Sequence, residues 1–313
     1  MLALKGCGTA LVTPFRDGEV DYEALEVMVK RQLEAGVDFL VPLGSTAETP
    51  CLEDEEKVRI LRLVRELAPD VPVVAGCGTN SLTATIKNIR LMEPCNPDAF
   101  LVVVPYYNKP TQEGMYQYFK AVAEASSKPI VLYNVPGRTG SNMLASTTLR
   151  LASVPGIIAV KEASGNIAQI LEILRDRPSG FSVLSGNDDQ TLELMQAGAD
   201  GVISVVSNIA PAQMKALVDA VAKECEGRSA AQNAVPASRL DDSGATPVGE
   251  AAKLNARLAP LYDACFVESN PIPVKAGLSL LGLCTPDMRL PLTTAVPATF
   301  EIMRERNRSI FTA

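Results

Sequence analysis

Residues 130–162 read IVLYNVPGRTGSNMLASTTLRLASVPGIIAVKE and contain one complete structural unit of this chain. Two short runs of apolar and β-branched residues, 130–133 and 157–160, are typical of buried strands. Between them, residues 144–152 place apolar side chains at helical spacing. A strand, a turn, a helix and a second strand in this order predict a βαβ unit with parallel strands.

The same pattern continues in both directions along the chain. We predict eight strands, at residues 8–12, 39–43, 71–75, 100–104, 130–133, 157–160, 181–184 and 201–204. Helical patterns lie between them at 22–35, 54–67, 82–92, 112–125, 144–152 and 167–176. Eight β/α units in succession predict an α/β protein of the (β/α)8 TIM barrel type. A doubly wound open sheet is the alternative, because periodicity does not distinguish closed from open sheets, but no Gly-rich dinucleotide fingerprint follows the first strand.

The chain changes character after the eighth strand. A helical pattern at 211–225 is followed by residues 226–249, EGRSAAQNAVPASRLDDSGATPVG, which contain almost no large apolar side chains. This composition predicts an exposed, mobile loop. Helical patterns resume at 250–266, 271–283 and 294–307. We therefore expect a catalytic barrel at 1–225, an insertion at 226–249 and a C-terminal helical region at 250–313.

The composition excludes several classes of function. The chain has 313 residues, a net charge of -7 and a pI near 4.9. A nucleic acid or an anionic membrane would require a basic face, so we expect neither as a partner. No segment approaches the roughly 18 apolar residues of a membrane span. The seven cysteines are scattered without a C-x-x-C pair, which predicts neither a zinc site nor a disulfide framework and favours a reducing cytoplasm.

The sequence contains no histidine. This absence excludes Ser-His-Asp and Cys-His catalysis, and it excludes a histidine-ligated metal. Proton transfer must then use tyrosine, lysine, a carboxylate or the substrate itself. We expect no metal and no cofactor.

Lys161 follows directly after the apolar run 157–160. A lysine amine attacks carbonyl carbon only in its neutral form, and burial disfavours the charged ammonium. Lys161 is therefore a candidate nucleophile, although a lysine at a strand end also extends into solvent along its methylenes. The rest of the chain favours the first interpretation, because the residues that follow the strands of a (β/α)8 barrel meet at one rim.

Hydroxyls, phenols and a guanidinium follow the other predicted strands. The segments at these strand ends are 44–48 (GSTAE), 76–78 (GCG), 105–110 (PYYNKP), 133–138 (YNVPGR), 185–188 (SGND) and 203–207 (ISVVS), and all except 76–78 contain such groups. Tyr133 ends the strand before that of Lys161, so a phenol that relays protons to and from an imine is the simplest arrangement. We interpret Asp188 and Asp189 as first-turn helix residues and not as catalysts.

Six motifs occur in the order typical of a known family: 13–15 (TPF), 44–48 (GSTAE), 105–110 (PYYNKP), 132–140 (LYNVPGRTG), 160–163 (VKEA) and 270–275 (NPIPVK). On these motifs nearly the whole chain resembles the dihydrodipicolinate synthase family, within the pyruvate-dependent aldolase and lyase superfamily. The resemblance implies condensation of pyruvate with L-aspartate 4-semialdehyde through a lysine Schiff base. This reaction is the first committed step of diaminopimelate and lysine biosynthesis.

The same resemblance implies roles for individual residues. Lys161 is the expected Schiff-base lysine and Tyr133 the proton relay, with Ser45 and Tyr107 as the other two hydroxyls of that relay. Tyr107 is expected to come from a neighbouring subunit, so the active unit is at least a dimer, either alone or within a homotetramer. No cofactor is implied.

The resemblance also implies how the two substrates bind. Thr46 and the preceding serine would hold the pyruvate carboxylate through backbone N–H groups, as anions bind at helix N-termini. Arg138 would hold the carboxylate of the semialdehyde through its bidentate fork. Gly186 and Ile203 would line the pyruvate pocket.

Two departures from the family pattern leave alternatives open. Ser45 and Ala47 replace the usual threonine and glycine of the turn, and Ser45-Thr46 also resembles the turn of N-acetylneuraminate lyase. Arg138 discriminates, because the lyase pattern has no arginine there. A catalytically silent barrel with a binding or assembly role and a pyridoxal-phosphate enzyme are the remaining alternatives, and no phosphate-binding glycine-rich loop supports the latter.

A further departure concerns regulation. Lysine-inhibited members of the family use a histidine and a glutamate at the subunit interface, and the matching residues here are Lys57 and Ala84. The ammonium of lysine would meet a like charge at one position and no carboxylate at the other. We expect weak or absent feedback inhibition, although Asn80 and Tyr106 are retained.

Overall fold

The computed structural model describes residues 2–231 and 249–311. Its main sheet has eight parallel strands, β1 (Gly6–Ala10), β2 (Phe39–Val41), β3 (Val74–Gly76), β4 (Ala99–Val103), β5 (Ile130–Asn134), β6 (Ile157–Glu162), β7 (Ser182–Ser185) and β8 (Gly201–Ser204). Neighbouring strands pair in the order β2-β1-β8-β7-β6-β5-β4-β3.

The two ends of this sheet meet between β2 and β3. Leu40 forms a parallel bridge with Val73, and its N–H donates to the carbonyl of Pro72 at 2.9 Å. The N–H of Gly76 donates to the carbonyl of Pro42 at 3.0 Å. The predicted (β/α)8 barrel is therefore confirmed, and the open-sheet alternative is wrong.

Eight helices surround the barrel: α1 (Tyr22–Glu34), α2 (Asp54–Leu67), α3 (Leu82–Met92), α4 (Gln112–Ala125), α5 (Ala145–Ala152), α6 (Ile167–Asp176), α7 (Thr191–Gln196) and α8 (Pro211–Ala231). Each helix contacts the next, and α8 contacts α1, so the outer layer is also a closed ring. Several of these helices begin at a residue whose side chain caps the helix N-terminus. Asp21 and Thr111 cap α1 and α4 by accepting from the N–H groups of Ala24 and Gly114.

Side chains alternate along each strand between the barrel interior and the layer beneath the helices. On β5, Ile130 and Leu132 belong to the outer apolar cluster, whereas Val131 and Tyr133 belong to the inner one. On β6 the inner cluster contains Ala159. Because the strand period is two, Lys161 faces the same interior.

Three helices follow the barrel: α9 (Glu250–Ala264), α10 (Ile272–Leu280) and α11 (Pro297–Phe311). α9 packs on α8 and α11, and α10 packs on α11. The helix predicted to end at residue 225 continues to Ala231, so the start of the predicted 226–249 loop is helical. Residues 232–248 of that loop lie outside the described residues.

Several short elements were not predicted. A two-stranded hairpin pairs Phe15–Arg16 with Glu19–Val20, and a single helical turn, Pro136–Thr139, follows β5. Within residues 2–231 and 249–311, no helix is both long and apolar enough to cross a membrane. Within the described residues, which include all seven cysteines, no disulfide bond is formed.

Candidate active site

Lys161 and Tyr133 are direct neighbours inside the barrel. They pair in register on β6 and β5, and the Lys161 Nζ lies 4.5 Å from the centroid of the Tyr133 ring. Both side chains are nearly enclosed, at 5% and 6% exposure. Among the described residues, no carboxylate lies within ion-pair distance of the Lys161 amine. The amine is thus held by packing and not by a counter-ion.

Gly186 provides the space that Lys161 occupies. A Cβ at this position would lie 2.6 Å from the Cβ of Ala163 and 3.1 Å from the Lys161 Cε, so a larger residue would clash with Ala163 and crowd the lysine stem. The Gly186 N–H donates to the carbonyl of Glu162 at 2.6 Å. Ile203 on β8 is fully buried in the inner cluster. Of the two predicted pocket residues, Gly186 therefore lies directly after β7 and Ile203 lies on β8.

The turn after β2 is a one-turn 3-10 helix, Ser45–Ala47. The N–H groups of Ala47 and Glu48 close it on the carbonyls of Gly44 and Ser45. The N–H groups at the start of a helical turn have no intrahelical acceptor, which makes them available to an anion. Ser45 is exposed, whereas Thr46 is only 3% exposed.

The other end of this turn is held by a buried ion pair. Lys275 Nζ donates to Glu48 Oε1 at 2.6 Å and to the carbonyl of Asp287 at 2.7 Å, and the Lys275 and Glu48 side chains have no exposed surface. Glu48 Oε2 also accepts from the N–H of Arg289 at 3.1 Å. Burial lowers the pKa of Lys275, and the carboxylate of Glu48 opposes this shift. Glu48 has φ +54°, so the pair stabilises a left-handed residue.

Arg138 lies in the helical turn after β5, on the surface at the same rim. Its Nη2 donates to the backbone carbonyl of Asn270 at 3.0 Å. The side-chain Nδ2 of Asn270 donates to Thr46 Oγ1 at 2.9 Å. The structure therefore connects the predicted binding residues Thr46 and Arg138 through a residue of the C-terminal region.

Tyr107 is separate from this set. Its side chain is 87% exposed, its φ is +70°, and its N–H donates to the carbonyl of Thr139 at 3.3 Å. The phenol therefore projects from the surface and does not pack inside its own barrel.

Two buried carboxylates near the site were not predicted as site residues. Asp188, at the start of a one-turn 3-10 helix, accepts from the N–H groups of Val205 and Val206 at 2.9 and 3.0 Å, directly after β8. Glu162, beside Lys161, accepts from Asn134 Nδ2 at 2.7 Å. Burial raises the pKa of both carboxyl groups. In the sequence, the only indication was that both residues follow a predicted strand. That position does not show whether the carboxylate points into the protein or into solvent.

Three of the four candidate regulatory residues lie near the starts of α2 and α3, and the fourth, Tyr106, lies in the segment after β4. Lys57 Nζ pairs with Asp54 Oδ1 at 3.1 Å. The carbonyl of Asn80 accepts from Asn108 Nδ2 at 2.9 Å. Ala84 lies in the first turn of α3, and Tyr106 is half-buried.

Other features of the described residues lie apart from this rim. A surface cavity of about 680 Å³ shares no residue with it and is lined mainly by α1 and α2, with Arg59 over the Tyr22 ring. Within residues 2–231 and 249–311, no cluster of three Cys, Asp or Glu side chains has a metal-binding arrangement.

Comparison with known proteins gives one consistent result. The model of the dihydrodipicolinate synthetase family matches residues 3–235 and 229–299. The 4-hydroxy-tetrahydrodipicolinate synthase of Thermotoga neapolitana is 43% identical over 305 residues, which cover 96% of each chain. The crystal structure of dihydrodipicolinate synthase from Thermotoga maritima is 40% identical, with a TM-score of 0.89 and coverage of 99% of both chains. A monomeric dihydrodipicolinate synthase variant is 41% identical, with a TM-score of 0.88 and coverage of 98% of this chain and 97% of that one.

Proposed function

The chain belongs to the dihydrodipicolinate synthetase family and has 4-hydroxy-tetrahydrodipicolinate synthase activity, and we propose that Lys161 carries this activity as a Schiff base with pyruvate. The reaction condenses pyruvate with L-aspartate 4-semialdehyde in lysine biosynthesis. The observation that carries the proposal is the enclosed Lys161 amine, with Nζ 4.5 Å from the Tyr133 ring centroid and no carboxylate partner among the described residues. The synthase name of the relatives favours this activity over the N-acetylneuraminate lyase alternative.

In the proposed mechanism, the neutral amine of Lys161 attacks the ketone of pyruvate, and loss of water gives an imine. The imine loses a methyl proton and becomes an enamine, which is a carbon nucleophile. The enamine attacks the aldehyde carbon of the semialdehyde. The amine of that substrate then displaces Lys161 as the ring closes, so the enzyme is regenerated.

Tyr133 is the proposed group that moves protons in these steps. Its position beside Lys161 in the strand register supports this role, and the chain has no histidine to replace it. Ser45, the first residue of the 45–47 turn, and Tyr107 of a neighbouring subunit would complete the proton relay. A tyrosine relay requires the phenol to exchange protons within hydrogen-bond reach.

The substrate carboxylates are assigned to two parts of the rim. The N–H groups that begin the 45–47 turn, with Thr46, would bind pyruvate, and Gly186 and Ile203 would enclose it. Arg138 would bind the semialdehyde carboxylate, since its guanidinium lies at the rim and is anchored by only one hydrogen bond to a backbone carbonyl among the described residues.

Borohydride reduction in the presence of pyruvate tests the proposal. The intact protein should gain the mass of one reduced pyruvyl group, and peptide mapping should place it on Lys161. Lys275, the other enclosed lysine, is the internal control and should remain unmodified. An adduct on another lysine, or no adduct in folded protein, would disprove the Schiff-base assignment.

The exposed Tyr107 supports an oligomer in which the phenol enters a second subunit. Mixed oligomers test this arrangement. The Lys161→Ala and Tyr107→Phe proteins should each be impaired. After their subunits are mixed and exchanged, activity should recover, because a subunit that keeps Lys161 then receives the Tyr107 phenol from its Lys161→Ala neighbour. If the mixture is no more active than the sum of its parts, Tyr107 does not act across subunits.

Weak lysine inhibition also remains a proposal. Lys57 keeps its ammonium beside Asp54, and Ala84 supplies no carboxylate for the ammonium of lysine. The double variant Lys57→His with Ala84→Glu should be inhibited at lower lysine concentration than the parent in a steady-state assay. Half-inhibition of the parent by sub-millimolar lysine would contradict this proposal.

A further inference from the structure

The motif at residues 270–275 has no part in the mechanism above, yet it contacts both substrate-binding parts of the rim. Asn270 lies between α9 and α10 and is 5% exposed. Its Nδ2 donates to Thr46 Oγ1 at 2.9 Å, and its backbone carbonyl accepts from Arg138 Nη2 at 3.0 Å. These partners lie 224 and 132 residues away in the sequence. A single residue of the C-terminal region thus joins two barrel loops.

The contact with Thr46 has a chemical consequence. A threonine hydroxyl has one O–H donor and two acceptor lone pairs. Because Asn270 donates to this oxygen, the hydroxyl accepts from Asn270 and retains its own O–H for another acceptor. In the assigned site, the pyruvate carboxylate is such an acceptor. Thr46 is nearly enclosed, so few other donors could replace Asn270.

The same motif also holds the far end of the turn. Lys275 binds the buried carboxylate of Glu48 at 2.6 Å. The turn is therefore fixed at Thr46 by Asn270 and, two residues later, at Glu48 by Lys275. Two independent contacts from six residues of the C-terminal region indicate that this region stabilises the geometry of the turn and does not only cover the barrel.

We propose that Asn270 is a positioning residue for pyruvate, which acts by orienting the Thr46 hydroxyl toward the substrate carboxylate. This inference rests on the proposed function, because it assigns pyruvate to the 45–47 turn. It predicts an asymmetric effect. Asn270→Ala removes the donor to Thr46 but keeps the backbone carbonyl that accepts from Arg138, so pyruvate should be affected more than the semialdehyde.

Asn307 offers a matched control. It is 6% exposed, its Nδ2 donates to the carbonyl of Gly277 at 3.0 Å, and its Oδ1 is buried without a hydrogen-bond partner. Asn270 has the same features, with one donated bond and an unpartnered buried Oδ1. Asn307→Ala therefore reproduces the structural loss of a buried amide in the same region, away from the rim.

The experiment compares steady-state kinetics of the wild type, Asn270→Ala, Asn270→Asp and Asn307→Ala. Asn270→Ala should raise the KM for pyruvate roughly five- to tenfold, the effect of one lost hydrogen bond, with little change in kcat or in the KM for the semialdehyde. Asn270→Asp should raise it further, because a carboxylate cannot donate and would accept the Thr46 proton. Asn307→Ala should leave all three constants near wild type.

A double-mutant cycle with Thr46→Val tests whether the change in the KM for pyruvate caused by Asn270→Ala depends on the Thr46 hydroxyl. If Asn270 acts through the Thr46 hydroxyl, the double variant should be no worse than Thr46→Val alone. Additive effects, or equal effects of Asn270→Ala and Asn307→Ala, would overturn the inference. Borohydride trapping of the wild type is measured first: absence of its pyruvyl adduct refutes the proposed function itself, whereas an adduct with no Asn270 effect refutes only the positioning role.

Discussion

The two enclosed lysines, one in the barrel interior and one at the junction with the C-terminal helices, have opposite surroundings. Lys275 has no exposed side-chain surface and binds Glu48 and the Asp287 carbonyl. Lys161 is 5% exposed and lies against the Tyr133 ring. A buried ammonium is stabilised by a counter-ion, whereas a nucleophile must lose its proton. Burial alone therefore does not mark a catalytic lysine, and Lys161, the proposed nucleophile, differs from Lys275 in having no carboxylate partner among the described residues.

Replacement of each lysine by methionine should have a different effect in the two environments: a loss of activity at Lys161 and a loss of stability at Lys275. The larger effect is expected at Lys161. Lys161→Met should lower kcat by at least about a thousandfold, because it removes the amine that we propose forms the imine with pyruvate. Its folding should be retained, since methionine fills a similar volume and leaves no carboxylate unpaired. Turnover and the mass of the borohydride-reduced protein with pyruvate measure the loss. Residual activity at the wild-type level would show that another amine reacts.

Lys275→Met should instead act on stability. It leaves the buried carboxylate of Glu48 without its cation, and loss of one partner of a buried pair costs about 3–5 kcal/mol of unfolding free energy. Addition of Glu48→Gln removes the orphaned charge and should recover much of this loss. Urea unfolding of the two variants and the wild type gives the comparison. Equal stability of Lys275→Met and the double variant would mean that Glu48 is protonated or solvated in the single variant.

Arg138→Ala extends the comparison to the rim and should affect only the second half-reaction. A charged hydrogen-bond donor to a carboxylate contributes roughly 2–3 kcal/mol, so the KM for the semialdehyde should rise about 30- to 150-fold. Imine formation with pyruvate should be nearly unchanged, because Thr46 keeps its bond to Asn270. The two steps are measured separately by steady-state kinetics and by borohydride trapping. Equal impairment of both would contradict the assignment of Arg138 to the semialdehyde.

The barrel was predictable because its information is local. Helices α2, α3, α4 and α6 begin and end at the predicted residues, and apolar spacing together with capping residues such as Thr111 determines those limits. The hairpin at 15–20 and the turn Pro136–Thr139 were missed because elements of two to four residues are too short for a periodic pattern. The predicted end of α8 at residue 225 was wrong. The small residues beyond 225 suggested a loop, but alanine favours helix and α8 continues to Ala231.

The site was predictable only in part, for a related reason. Strand parity and strand ends located Lys161 and Tyr133, which the register pairs directly. The contacts of Asn270 with Thr46 and Arg138 and of Lys275 with Glu48 join residues more than 130 positions apart, and no local pattern specifies such a partner. The motif at 270–275 marked these two residues as a family feature, but only the three-dimensional structure shows what they bind.

The smallest expected effect concerns pH and tests whether Lys275 is fully compensated by Glu48. Burial lowers the pKa of Lys275 below its ordinary value of 10.5 despite the carboxylate. Between the lowered pKa and 10.5, the unfolded chain binds more protons than the native protein, so the unfolding free energy contributed by this lysine rises with pH. It should be fully present above 10.5 and be lost as the pH falls through the native pKa. Urea unfolding across the window just below pH 10.5 should therefore show the wild type gaining stability relative to Lys275→Met with Glu48→Gln, which lacks the titrating amine. A difference that stays constant as the pH rises would mean that Glu48 balances the effect of burial on Lys275, and a difference that shrinks would mean that Glu48 outweighs it.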